Sequence, residues 1–134
     1  MDMRYINLLL VVVLAAVVCG CASGEKPSQP AMDAANVTAD RMFNALNTGD
    51  FVAFSENFSP AMTSAVNQTE FNIIAGKLSG QYGKYVSRSP VPSASVTQGY
   101  NVFLYDCQFE KGKLTLQLTM NSSNVTRVEG FFYR

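Results

Sequence analysis

A change of rhythm at Gly83 constrains the fold more than any other feature of this sequence. Before it, apolar residues recur every three or four positions; after it, they recur every second position. Met32, Ala35, Ala39, Met42, Phe43 and Leu46 form one helical stripe across Met32 to Asn47, and Thr48-Gly49 is a stop signal. Asp50 is placed to cap a short second helix from Phe51 to Asn57, with Phe51 and Phe54 on one side. Ser59-Pro60 is a further start signal, opening a brief turn from Ala61 to Val66. Thr69 then caps a helix whose face is Phe71, Ile74, Ala75 and Leu78, with Glu70 suiting its dipole and Gly80 closing it. Beyond Gly83, Tyr85-Val86-Ser87 reads as a short strand ended by Pro90 and Pro92, and Val96 to Phe109 as the main strand. Glu110-Lys111-Gly112 is a hairpin turn in which Gly112 is expected at positive φ. In the next strand Leu114, Leu116, Leu118 and Met120 point inward while Thr115, Gln117 and Thr119 point outward. Asn121 to Asn124 turns the chain into a last strand, Val125 to Tyr133. Helices first and a meander after predict an α+β domain: N-terminal helices packed on one curved antiparallel sheet of about four strands. Val102 to Tyr105 is apolar on both faces, which predicts cover on both sides of the sheet.

The first thirty residues have another character. A weakly positive start at Arg4 is followed by an unbroken apolar run from Leu8 to Val18. Spanning a bilayer takes about 20 apolar residues, whereas about 10–14 suits the hydrophobic part of a signal peptide. Val17-Val18-Cys19-Gly20-Cys21 resembles the lipobox of prokaryotic lipoproteins, with Gly20 as the small residue and Cys21 as the acylated first residue of the mature chain. Val18 and Cys19 depart from the commonest choices in that motif. The alternative is an uncleaved membrane helix from about Tyr5 to Ala22, which tilt or local thinning would accommodate. The resulting organisation is a signal peptide over 1–20, a lipidated cysteine and flexible tether over 21–31, and one domain over 32–134. The tether reading rests on Ser23 to Pro30, where Pro27 and Pro30 lack donors and the polar residues bury no apolar area. The expected location is the outer face of the cell membrane, held to lipid through Cys21.

Composition closes several functional classes. Lys plus Arg and Asp plus Glu number ten each, so the chain has no electrostatic footprint for nucleic acid. Histidine is absent, which removes the usual base near neutral pH and the commonest metal ligand. No cofactor or metal is expected. With Cys21 acylated, Cys107 stands alone in an apolar strand and reads as a small buried hydrophobe, since no cation in that strand would activate its thiol. Glycosylation sequons begin at Asn36, Asn57, Asn67, Asn121 and Asn124; Pro60 weakens the second, and Asn67, Asn121 and Asn124 are the candidate glycan acceptors. Polar turn residues rich in Asn, Ser and Thr give the same pattern without modification.

The element order, carried by Ala39-Asp40-Arg41, Ala45 to Phe51, Phe54 through Met62, Gly99 to Cys107 and Gly130-Phe131-Phe132, resembles nuclear-transport-factor-2-like, cystatin-type cone domains. It is similar to a prokaryotic group of uncharacterised function within that superfamily, found as stand-alone lipoproteins and attached to hydrolases. The resemblance covers about Ala35 to Tyr133 and implies fold more than function. It implies a concave pocket lined by Phe103, Tyr105, Leu116 and Leu118, and hence a non-catalytic binding domain for a small apolar ligand or a protein partner; the alternative is that the same side chains simply fill the core. A second reading is a structural module pairing through its sheet face as a weak homodimer, although Thr115, Gln117 and Thr119 make that face polar. A third is an isomerase- or dehydratase-like enzyme. Only Asp106 beside Tyr105 offers comparable groups, and adjacent strand residues point to opposite faces.

Overall fold

The structure is a computed structural model that describes residues 25–134. The expected signal segment 1–20 and the expected acylation site Cys21 lie outside the described residues.

Helix α1 (Gln29–Thr48) begins before the expected Met32 because Ser28 is its cap, accepting from the Ala31 N–H at 3.3 Å, with Pro30 in the first turn. Gly49, at φ 68°, ends it and donates its N–H to the Ala45 carbonyl. Residues 25–31, part of the expected tether, are therefore packed on the domain. Pro27 is buried, Ala31 is buried, and the Glu25 carbonyl accepts from the Val96 N–H at 3.1 Å. A proline with its ring buried and a carbonyl bonded to a sheet edge belong to the domain.

Helix α2 (Phe51–Ser55) is capped by Asp50, and α3 (Pro60–Ala65) by Ser59. Helix α4 (Gln68–Tyr82) is capped by Asn67, two residues before the expected Thr69, its Oδ1 accepting from the Glu70 N–H. It passes through Gly80 and ends at Gly83, φ 75°. A glycine inside a helix is a tolerated weakness, and Gly83 offers the backbone reversal that Gly80 does not.

The sheet has five strands, one more than the sequence suggested: β1 (Tyr85–Arg88), β2 (Ser93–Thr97), β3 (Tyr100–Phe109), β4 (Gly112–Asn121) and β5 (Val128–Tyr133). The expected main strand divides at Gln98-Gly99, which take φ 47° and 85° and reverse the chain so that β2 pairs with β3. Two consecutive positive φ values are the requirement of a tight hairpin, and Gln is a rare occupant of the first. Gly112, by contrast, is not among the positive-φ residues; a Cβ there would lie 3.3 Å from the Tyr82 ring, so close packing explains the glycine. The last strand starts at Val128 because Asn121 to Arg127 is closed by its own bonds, Arg127 N–H to Asn124 and Asn121 N–H to Arg127.

All pairing is antiparallel in the order β1-β3-β4-β5, with β2 beside β3 on the β1 side. Pro90 and Pro92 separate β1 from β2. At the other edge Val128 is held by the α2–α3 link, donating to Asn57 and accepting from Ser59. The result is α+β: helices, then a curved open antiparallel sheet.

The core lies between the two. Phe43 makes edge contacts with Tyr85 and Tyr105 at 5.5 and 5.6 Å between ring centres. Phe54 packs on Phe71 at 4.8 Å and on Phe131 at 5.3 Å. Such pairs contribute about 0.5–1.5 kcal/mol each beyond area burial. On the other face of the sheet Val102 and Leu104 are only half-buried, less covered than the Phe103 and Tyr105 that alternate with them. Phe132 leans across Gly130 beside Thr119, where a Cβ would meet its ring at 3.0 Å. This local cover buries Thr119 on the expected polar row.

Candidate functional site

The residues expected to line a pocket are placed together, but in a filled core. Phe103 pairs with Leu118 and Tyr105 with Leu116 across β3 and β4, and all four are 0% exposed. Phe43 from α1 occupies the space against Tyr105, and Phe131 from β5 closes on both Phe43 and Phe54. Bulky rings from three elements fill the concavity that the sheet's curvature would otherwise leave open.

One polar system reaches this interior. The Tyr105 hydroxyl donates to Asn36 Oδ1 at 2.9 Å. Arg88 at the end of β1 lies over the Tyr105 ring at 5.4 Å and grips Asp40 of α1 through Nε and Nη2 at 2.7 and 3.1 Å. Its Nη1 donates to the carbonyls of Ser89 and Pro90. The hydrogen bond to Asp40 is the main reason the guanidinium is held still more firmly in its charged form. Burial pushes the Tyr105 hydroxyl well above its ordinary range and that of Tyr85 up to about 12, so both phenols stay neutral. A fully engaged cation between two neutral phenols is a clamp joining helix to sheet. Sequence reading missed it, because its members are 48 residues apart and no local pattern joins them.

An open concavity lies on the opposite face, toward the β3–β4 hairpin. It measures about 500 Å³ and is lined by Ser87, Arg88, Ser89, Asp106, Cys107, Gln108, Lys113, Leu114, Thr115 and Arg134. The backbone explains its shape: the Asp106 N–H donates to Ser89 Oγ and the Ser89 N–H to the Asp106 carbonyl, continuing the sheet past β1. Gln108 is braced by bonds to the Phe109 and Gly112 carbonyls. Lys113 and Arg134 form no ion pair among the described residues. The groove offers hydroxyls, one carboxylate and two cations to solvent. A smaller slot of about 50 Å³ between α1 and α4, beside Asn47, Ser79 and Lys84, has room for little more than water.

Asp106 is exposed in this groove, with the Thr115 hydroxyl 3.5 Å from its Oδ1, while its neighbour Tyr105 points into the core. The two groups do not share a site. Cys107 is buried as a small hydrophobe, its thiol pushed up to about 12 chiefly by burial. Among the described residues no cluster of His, Cys, Asp or Glu has metal-binding form. No helix of the described residues is long and apolar enough to cross a membrane.

The sequons separate by accessibility. Asn36 is engaged by Tyr105 and its Thr38 is buried; Ser59 of the Asn57 sequon is buried as the α3 cap. Asn67 and Asn124 are exposed and Asn121 is half-exposed. All three also serve the fold. Asn67 caps α4, Asn121 accepts from the Ser123 and Asn124 N–H groups, and Asn124 accepts from the Thr126 hydroxyl.

A family model described as a protein of unknown function, DUF3887, matches residues 39–127, more than half of the 134. The chain belongs to the DUF3887 family. The matched span of the DUF3887 domain runs from Ala39 in α1 to Arg127 before β5, so it contains Asp40 and Arg88 of the clamp and every groove residue except Arg134. No curated protein and no solved structure matches the chain.

Proposed function

We propose that this DUF3887 protein is an extracytoplasmic lipoprotein, acylated at Cys21 after loss of residues 1–20, whose domain is a non-catalytic binding module for a protein partner. The anchor rests on the brief apolar run and the lipobox-like Val17 to Cys21. The helices-then-meander order supports kinship with the nuclear-transport-factor-2-like cone domains, with the interior packed shut.

One observation carries the choice of partner. The apolar interior has no room, whereas the outer sheet face carries an open groove of about 500 Å³ rimmed by hydrogen-bonding side chains. That volume is within the range of about 300–1,000 Å³ seen for ligand sites, but its lining suits an extended polar segment better than a small apolar molecule. Lys113 and Arg134 at its rim favour an acidic segment.

A photo-crosslinking residue at Thr115, compared with one at the exposed Val52 on α2, tests this in the native membrane. The expected result is one defined adduct from Thr115, absent from Val52 and lost with Lys113→Glu. Equal adducts from both positions, or none from Thr115, refute the groove as the binding face. Metabolic fatty-acid labelling that survives Cys21→Ala refutes the anchor.

A second reading is favoured by Val102, Leu104 and Phe132, apolar and half-exposed on the same outer face. These would seat a second copy as a weak homodimer. Light scattering that shows a concentration-dependent mass, abolished by Leu104→Lys, supports it; a constant monomer mass refutes it.

A further inference from the structure

We infer that the domain meets the bilayer with one particular end, the end carrying the Gln98-Gly99 turn and the Asn121–Arg127 loop, held there by a leash too short for the opposite end to approach in its place. This rests on the acylation of Cys21 proposed above. The argument begins at Glu25. Its carbonyl is bonded to the Val96 N–H, Pro27 is buried, and Ser28 caps α1, so the chain is fixed to the domain from Glu25 onward. Three residues, and so four Cα–Cα steps, separate Cys21 from that point. Even fully extended they span about 14 Å, whatever their conformation. The lipid is attached at headgroup level, and a headgroup layer is itself about 5–8 Å thick, so roughly half of the reach is used before the leash leaves the membrane.

Against this the domain is large. A compact body of its size is about 30–35 Å across. Glu25 sits near one end of that body, because Val96 is in register with Asn101, Asn101 with Met120, and Met120 with Val128. From this row the chain turns at Gln98-Gly99 and loops from Asn121 to Arg127, and the Ser122 N–H bonds the Gly99 carbonyl to join the two turns. The hairpin tip at Glu110-Lys111 lies at the far end of β3 and β4, about 30 Å away at the rise of a strand. A leash of about 14 Å cannot let that tip approach the surface with the near end held away from it. The near end is also suited to lipid headgroups: Lys26 and Arg127 are exposed there. With these charges drawn to the headgroups the domain stands on its near end, and the outer-face groove, toward the hairpin end, is presented to a partner.

The test uses the full lipidated chain, reconstituted in vesicles of phosphatidylethanolamine and phosphatidylglycerol containing a headgroup-nitroxide lipid. A fluorophore is attached through Ser123→Cys in one preparation and Lys111→Cys in another. Cys107 is buried and takes no label. The expected result is quenching several-fold stronger at position 123 than at 111. Inserting about 20 Gly-Ser residues after Ser23 lengthens the reach to roughly 25 Å and brings the two positions toward equality. Vesicle-bound, acylated protein with equal quenching, or stronger quenching at 111, overturns the inference and leaves the anchor standing. A chain without acyl mass that does not float with the vesicles overturns both.

Discussion

Phe103→Ala distinguishes a filled interior from a ligand chamber. Phe103 is 0% exposed, in register with Leu118 on one side and Ala94 on the other. A buried phenylalanine removes about 150–250 Å² from water, which at about 25 cal/mol per Å² corresponds to roughly 4–6 kcal/mol as an upper bound. Measured Phe→Ala replacements in closed cores fall at about 3–5 kcal/mol, because the vacated volume stays as a cavity. A domain of this length has only about 5–15 kcal/mol in total, and each kcal/mol moves the melting point by about 4–8 °C. The variant should therefore melt roughly 15–30 °C lower. Urea unfolding followed by far-UV circular dichroism, on a chain from Glu25 to Arg134, measures the difference directly. Leu104→Ala on the half-exposed outer face is the control and should cost less than about 1.5 kcal/mol. A loss below about 1 kcal/mol for Phe103→Ala would show that the ring borders space already open, and the argument for a filled core would fail.

Three further outcomes follow from other parts of the structure. The Cys107 thiol is raised from 9.0 to about 12 by burial, so its contribution is fully present below pH 9 and is lost as pH rises toward 12. Stability should fall between those limits by up to about 1.4 kcal/mol per pH unit from this group, and Cys107→Ala should flatten the slope between pH 9 and 10, before Tyr85 and Tyr105 add theirs. Asp40 and Arg88 should show a coupling of about 1 kcal/mol in a double-mutant cycle, weakened by salt because the Asp40 side chain is 53% exposed; additive effects would refute the clamp. A chain started at Met32 should be about 1–3 kcal/mol less stable in urea than one started at Glu25, having lost the Ser28 cap, buried Ala31 and the bond to Val96; equal midpoints would show that residues 25–31 are only a tether.

What could be read in the sequence was whatever is local. The caps Asp50 and Ser59, the stop at Gly49 and the alternation from Leu114 to Met120 each act within a few residues, and each is found where its chemistry requires. The first helix began early and β2 was missed for one reason: the deciding residues were unusual occupants of their roles. Ser28-Gln29-Pro30 looked like linker until Pro27 and Ala31 found a core to enter, and Gln98 takes a backbone conformation that glycine or asparagine usually marks. Hollow or filled is a different kind of question. Alternation identified Phe103, Tyr105, Leu116 and Leu118 as inward-facing, and they are, but whether an inward face encloses space depends on what the helices bring to it. Phe43 and Phe54 supply that answer from positions 60 and 49 residues earlier than Phe103. The groove and the Asp40–Arg88 clamp likewise depend on strand order, which no window of sequence contains.

The two margins of the sheet have a consequence for life in a crowd. One margin is cut in two by Pro90 and Pro92, which have no N–H to offer a neighbour, and the other is occupied at Val128 by the chain's own Asn57 and Ser59. The longest stretch left open there runs only from Glu129 to Tyr133. Copies pressed side by side would find too few vacant partners to zip into a shared ribbon, so dense packing should not join them edge to edge.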